Sequence, residues 1–248
     1  MTVLDLLSLT LDDRPLARRV GLVTLATDHT TEVDFAVLPP RGIGVYATRI
    51  PFANPVTPET LAAMAGDVTR AAALILPDEP LDAVVYSCTS ASVVIGDDRV
   101  RAAIRAGKPG AEPITPISAG FAALRALGAD RITLLTPYTP ETTRPMADCF
   151  EAGAFALQAV ACLNMTDDRA MARLSHETII EAARAAVAPG SQALFIACTA
   201  VRAAGIADRI EDAVGLPVVS ANLATLWSAM RACGNKGAAL PGQLMRLA

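Results

Sequence analysis

The 248-residue chain is poor in aromatic side chains, at 4%, which leaves few stacking platforms of the kind that single-stranded nucleic acids need. It has no excess of positive charge: 21 Lys and Arg against 25 Asp and Glu give a formal net charge of −4. A phosphate backbone is therefore not an expected partner. No run of about 18 uninterrupted apolar residues occurs, so no membrane-spanning helix is expected. The first residues carry Asp5, Asp12 and Asp13 and lack a basic leader, unlike a secretory signal. Histidine occurs only as His29 and His176, and neither belongs to a zinc-ligand spacing. There is no Gly-x-Gly-x-x-Gly or Walker A loop, and no Gly-x-Ser-x-Gly elbow. Neither a metal nor a cofactor is expected.

What remains is an apolar, globular composition: 52% hydrophobic and 19% charged. A cytoplasmic protein is expected, with its five cysteines (88, 149, 162, 198 and 233) mostly reduced. Short runs rich in Val, Ile and Leu lie at residues 20–26, 43–48, 83–87, 132–136, 155–161, 193–197 and 217–220. Each is apolar on both faces, as in buried parallel strands. Helix-forming stretches separate them, at 58–76, 98–106, 119–127, 169–187 and 203–214. This alternation predicts an α/β fold with parallel sheets.

The chain repeats itself once. Asn54 is followed 34 residues later by Cys88, and Asn164 is followed 34 residues later by Cys198. Around the cysteines, AVVYSCTSASVVIGDDRV aligns with ALFIACTAVRAAGIADRI, and upstream RRVGLVTLATDHT parallels DRITLLTPYTPET. A single repeat of about 110 residues is too long for a solenoid unit. It predicts two similar Rossmann-like lobes related by pseudo-two-fold symmetry. The expected first lobe is 1–118 plus 217–248, and the second is 119–216. Residues 113–118 and 216–220 would cross between lobes, and 234–242 would form an irregular cap.

Ligands of open α/β sheets bind beyond the carboxyl ends of the strands. Symmetry would therefore face Cys88 and Cys198 across one cleft. A cysteine between a strand and the next helix sits at a helix N-terminus, which favours the thiolate. There the hydroxyls of Thr89, Ser90 and Thr199 make a site for a carboxylate or an enolate. Such a thiol pair should alkylate quickly near neutral pH. Cys149, Cys162 and Cys233 lack this setting and read as packing residues.

These segments, from about Arg19 to Leu226, resemble the aspartate/glutamate racemase superfamily. Within it they are similar to the maleate cis-trans isomerase and arylmalonate decarboxylase branch. The carriers are GLVTLATDHTTE, YSCTSAS, LLTPYTPE, the Asn164 segment and FIACTA. The resemblance implies that Cys88 is the first catalytic cysteine, adding to a double bond in isomerases or exchanging a proton in racemases. It implies that Cys198 is the opposed proton donor. Decarboxylases of the branch have glycine at the first position, so Cys88 counts against a plain decarboxylase. Thr89, Ser90 and Tyr138 match the group that holds a carboxylate and the developing enediolate, and Asn164 matches a substrate-binding asparagine.

The chain departs from that pattern at Asp28, where the isomerases carry asparagine. An ionised Asp28 would repel a second substrate carboxylate and suit an amine-bearing substrate. Alternatively, Asp28 caps a first helix opening at Thr31 or Glu32. His29 is a weaker site candidate. ATDHTTE also resembles branch members associated with ectoine utilisation. The expected activity is a cofactor-independent isomerase of a small carboxylate, by cis-trans isomerisation or by racemisation. An amino-acid or hydantoin racemase, a decarboxylase of the superfamily, and a non-enzymatic binding protein stay open, as does the oligomeric state.

Overall fold

The computed structural model describes residues 10–38, 42–235 and 240–247. The expectations for Asp5 and for tail residues 236–239 lie outside these. The first half runs β1 (Arg18–Leu25), α1 (Thr31–Val37), β2 (Ile43–Ile50), α2 (Pro58–Ala62), α3 (Val68–Leu74), β3 (Ala83–Tyr86), α4 (Thr89–Ile95), α5 (Asp97–Gly107), β4 (Glu112–Ile114) and α6 (Pro116–Ala126). The second half runs β5 (Arg131–Thr136), α7 (Pro140–Ala152), β6 (Ala156–Cys162), α8 (Asp168–Met171), α9 (His176–Ala186), β7 (Ala193–Ile196), α10 (Ala207–Val214), β8 (Val218–Ser220) and α11 (Ala221–Ala232).

Two four-stranded parallel sheets result, ordered β2-β1-β3-β4 and β6-β5-β7-β8. The same order in both halves is what a duplicated unit requires. The registers agree as well, with Val20 beside Ala83 and Ile132 beside Ala193. The inner strands are sealed on both faces: β3 (AVVY) and β7 (ALFI) are buried throughout. The outer strands β2 and β6 are not. Both were expected to be buried, yet each alternates between covered and open positions, and Val160 is 45% exposed. A sheet edge has a neighbour on one side only, which apolar composition does not reveal.

Three further expectations are corrected. Residues 113–118, read as a crossover, begin inside β4 (Glu112–Ile114) at the edge of the first sheet, where Pro113 is tolerated because no further strand needs its missing amide, and only then pass to α6 against the second sheet. Residues 217–220, assigned to the first lobe, carry β8, which pairs with β7 in the second sheet. The stretches 58–76 and 169–187 are each broken rather than continuous. Thr57 caps α2 but a 3₁₀ turn at Ala63–Gly66 interrupts the run, and Ser175 opens α9 afresh after α8.

The two halves exchange their last helices. α6 follows β4 but lies against β8 of the second sheet, while α11 follows β8 and lies against β3 and β4. The two helices also pack on each other. Gly120 permits this approach: a Cβ there would stand 2.6 Å from the Phe195 ring on β7.

Candidate active site

The carboxyl ends of β3 and β7 deliver the two cysteines. Cys88 is extended (φ −152°, ψ 112°) at the N-cap of α4, and its carbonyl accepts from the Ser92 amide at 3.1 Å and the Ser92 hydroxyl at 2.7 Å. Cys198 has φ +79°, a left-handed conformation uncommon outside glycine. The chain then turns, the Val201 amide returning to the Cys198 carbonyl at 3.3 Å. The helix expected directly behind Cys198 begins only at Ala207, after a 3₁₀ turn at Ala204–Ile206. Cys198 therefore has no helix N-terminus of its own, because its backbone turns away from helical geometry.

Both thiols line one small, nearly filled cavity of about 10 Å³. Leu25, Phe52, Val56 and Leu61 form its apolar wall, and Ser90, Tyr138, Asp168 and Thr199 join the cysteines on the polar side. The Cys88 and Ser90 side chains are 3.7 Å apart. The Tyr138 phenol is buried at the cavity wall, and burial raises its pKa. The Cys198 thiol reaches the Met171 sulfur at 3.9 Å. The cavity thus combines two nucleophilic sulfurs with hydroxyl donors and excludes bulk water. Among the described residues, no Lys, Arg or His lines it.

The protonation of the thiols differs from the sequence expectation. Burial pushes Cys88 up to about 12, outweighing the Ala91 amide and the Ser90 hydroxyl that favour its thiolate. Burial also raises Cys198, and the Asp168 carboxylate adds to this, against the Tyr138 phenol and the Ala200 amide. Cys88 and Cys198 are each 5% exposed. Removing water from a sulfur anion costs more than the local amides return. The resting thiols are therefore neutral, and fast alkylation near neutral pH is not expected.

The cavity gathers Cys88, Ser90, Tyr138, Cys198 and Thr199 from the sequence-derived set. Thr89, Asp28 and Asn164 do not line it. Thr89 starts α4, and its hydroxyl is buried with no hydrogen-bond partner. Asn164 is exposed at φ +56°, with its amide bonded to the Tyr138 carbonyl at 3.0 Å. Asp28 spends both oxygens on its own turn. Oδ1 accepts from the Thr30 and Thr31 amides at 2.7 and 2.9 Å, and Oδ2 from the Thr31 hydroxyl at 2.6 Å. Thr30 is the N-cap of α1 and makes no side-chain cap bond, so Asp28 braces the turn that leads into the helix rather than serving as its N-cap. The Thr31 hydroxyl also meets the Ser87 hydroxyl at 2.6 Å, tying the turn to the Cys88 strand. His29 is exposed.

Asp168 is the residue that sequence reasoning missed. In the sequence it is the second acid of an Asp-Asp pair opening a helix, which reads as ordinary N-terminal charge. Only the Thr27 hydroxyl, donating to its Oδ2 at 2.6 Å from 141 positions away, and its place in the cavity give it significance. Burial raises its pKa, against the Thr27 hydroxyl, and the Asp28 charge adds to the rise. Among the described residues, no three His, Cys, Asp or Glu gather as metal ligands, and no helix is long and apolar enough to cross a membrane.

The arylmalonate decarboxylase family model matches residues 37–245. The maleate isomerase of Nocardia farcinica is 29% identical over 226 residues, covering 86% of this chain and 89% of that protein. The arylmalonate decarboxylase of Bordetella bronchiseptica is 30% identical over 121 residues, covering 48% and 50%. Among solved structures, the Nocardia farcinica maleate cis-trans isomerase bound to TRIS superimposes with a TM-score of 0.83 at 26% identity, covering 92% of this chain and 98% of that one. A cysteine-to-serine mutant of the Nocardia enzyme, holding a covalently bound succinylcysteine intermediate, gives 0.81 at 28%, covering 92% and 98%. With the family match running through both halves and both cysteine loops, the chain belongs to the arylmalonate decarboxylase family, in the branch shared with the maleate isomerases.

Proposed function

We propose that the protein is a cofactor-independent isomerase of a small carboxylate, working through Cys88 and Cys198. The observation that carries this reading is the convergence of two sulfurs, from matched strand ends, on one small closed cavity. The substrate carboxylate is held by the Ser90 hydroxyl and the Tyr138 phenol on the cavity wall.

In the cis-trans version, Cys88 passes its proton to the substrate carboxylate, recovering it when the C–S bond later breaks, and its sulfur adds to a carbon of a C=C bond conjugated to that carboxylate. The displaced electron pair moves onto the carboxylate as an enediolate, stabilised by the surrounding hydroxyls. Cys198 delivers its proton to the neighbouring carbon, giving a neutral thioether. Rotation about the new C–C single bond follows. Cys198 then takes back a proton, the C–S bond breaks and the C=C bond re-forms in the other geometry. The covalent succinylcysteine held by the Nocardia mutant supports this order. The two buried thiols of one cavity also favour a second version, in which one sulfur removes an α-proton and the other returns one to the opposite face. The cysteine at position 88 speaks for either version over plain decarboxylation.

The test is turnover by NMR in D₂O over a panel of unsaturated and chiral small acids. Isomerisation retains proton count and shifts the vinyl signals, whereas racemisation exchanges the α-proton. Cys88→Ala and Cys198→Ala should each abolish turnover, and Cys149→Ala should not. Near-normal turnover in either active-site variant would overturn the two-thiol reading.

A further inference from the structure

Building on the two-thiol reading, we infer that Asp168 makes this site select a substrate with an ammonium group near its reacting carboxylate, in place of a second carboxylate. Asp168 lines the cavity at 7% exposure. Its loop is clasped by the other half of the molecule. The Thr27 hydroxyl holds Oδ2 at 2.6 Å, the Asn54 side-chain oxygen accepts from the Asp168 amide at 3.1 Å, and the Val56 amide donates to the Thr166 carbonyl at 2.9 Å. The carboxyl group is thus fixed at the cavity wall by three contacts that cross between lobes.

Its other oxygen, Oδ1, takes no hydrogen bond from the described residues. That oxygen is left open to a donor brought by a ligand, and a charged donor is held more strongly than a neutral one. Among the described residues no lining side chain is cationic, so a cation brought by the ligand is the partner that the cavity side of the carboxylate can take. The same wall carries neutral donors in the Ser90 hydroxyl and the Tyr138 phenol. The cavity is therefore bipolar. Its hydroxyls offer hydrogen bonds to a carboxylate, and Asp168 presents a fixed negative charge to an ammonium. A dicarboxylate would place its second anion against Asp168, with the buried charge of Asp28 adding to the repulsion.

The arrangement also links recognition to reactivity. The Asp168 charge adds to the burial that holds both thiols protonated, so an ammonium paired with Asp168 eases that restraint when the fitting substrate is bound. The ionised sulfur then forms inside a filled site rather than an empty one.

The experiment uses three unreactive probes of similar length: β-alanine, succinate and propionate. Dissociation constants are measured by ligand-observed NMR for the wild-type protein, Asp168→Asn and Asp168→Ser. The wild type is expected to bind β-alanine at least about tenfold more tightly than succinate (about 1.4 kcal/mol), with propionate between. Both variants should bring the β-alanine-to-succinate ratio within about twofold. A wild type that prefers succinate, or that binds no β-alanine, overturns the inference, as does an unchanged ratio in the variants. The probes need no chemistry, so Cys198→Ala should keep the preference. Intact preference without cysteine-dependent turnover on the acid panel would sink the isomerase reading alone. Cysteine-dependent turnover without the preference would sink this inference alone.

Discussion

The Thr199 hydroxyl donates to the Ser87 carbonyl at 3.2 Å. Ser87 immediately precedes Cys88 and Thr199 immediately follows Cys198, so a single bond between the halves couples the backbones that carry the two sulfurs. The Thr30 hydroxyl adds a parallel tie to the Ala200 carbonyl at 2.9 Å. The relative position of the thiols is therefore a property of the interface between lobes rather than of either lobe.

Thr199→Val keeps the shape and removes the Ser87 bond. It should cost about 1–2 kcal/mol of stability, since a buried carbonyl loses its partner. Turnover should fall at least about tenfold, because displaced reacting groups lose much of their rate advantage. Urea unfolding and steady-state kinetics check the two effects separately. Unchanged kinetics would mean that the tie does not position the thiols.

Thiol reactivity should follow the burial of the sulfurs. With Cys88 near 12, the thiolate fraction grows about tenfold per pH unit well below that value. Alkylation of Cys88 by iodoacetamide, followed by peptide mass spectrometry, should be slow at pH 7 and rise steadily to pH 9.5 without a plateau. Asp168→Asn removes a charge that opposes the thiolate, so its alkylation at any given pH should be faster. A plateau near pH 8 in the wild type would mean that the cavity stabilises the thiolate.

Asp28→Asn separates local structure from ligand selection. Asparagine keeps one oxygen for the Thr30 and Thr31 amides, so stability should change by less than about 1 kcal/mol. Asp28→Ala, which leaves both amides unpaired, should cost about 1–2 kcal/mol. The β-alanine-to-succinate ratio should hold within about twofold in Asp28→Asn, in contrast to Asp168→Asn. A large shift in that ratio would return charge selection to Asp28.

Gly120→Ala tests the exchanged helices. The added methyl would meet the Phe195 ring at 2.6 Å, and Phe195 is fully buried among Phe150 and its neighbours. Overpacking of this kind costs about 1–3 kcal/mol, more than the roughly 1 kcal/mol that alanine gains over glycine in a helix. A lower urea midpoint with unchanged slope is expected. A higher midpoint would show that α6 can move away from β7 without loss.

Much of this molecule is written locally. Apolar runs such as AVVY and ALFI specify inner strands because each residue needs cover on both faces of a parallel sheet. The recurrence of Asn54 and Cys88 as Asn164 and Cys198 specifies two like halves, and with them a shared site. The turn at Asp28 is also a local matter, settled by hydrogen bonds to residues two and three positions on. The sequence left open whether Asp28 serves the turn or the ligand, because a carboxylate does both equally well.

Other features required the folded chain. Which strand ends a sheet depends on what lies beside it, so β2, β6 and the membership of β8 escaped composition. Asn164 shares its residue type and spacing with Asn54, yet only Asn54 grips the Asp168 loop, since the two halves meet different neighbours. The thiol pKa values depend on the water excluded by residues from both lobes, which no window around Cys88 or Cys198 contains. Asp168 became part of the cavity through Thr27, Asn54 and Val56, all more than a hundred positions earlier. Backbone form and residue chemistry are short-range properties and can be read along the chain. Desolvation and charge are summed over everything nearby in space, so only the tertiary structure decided them.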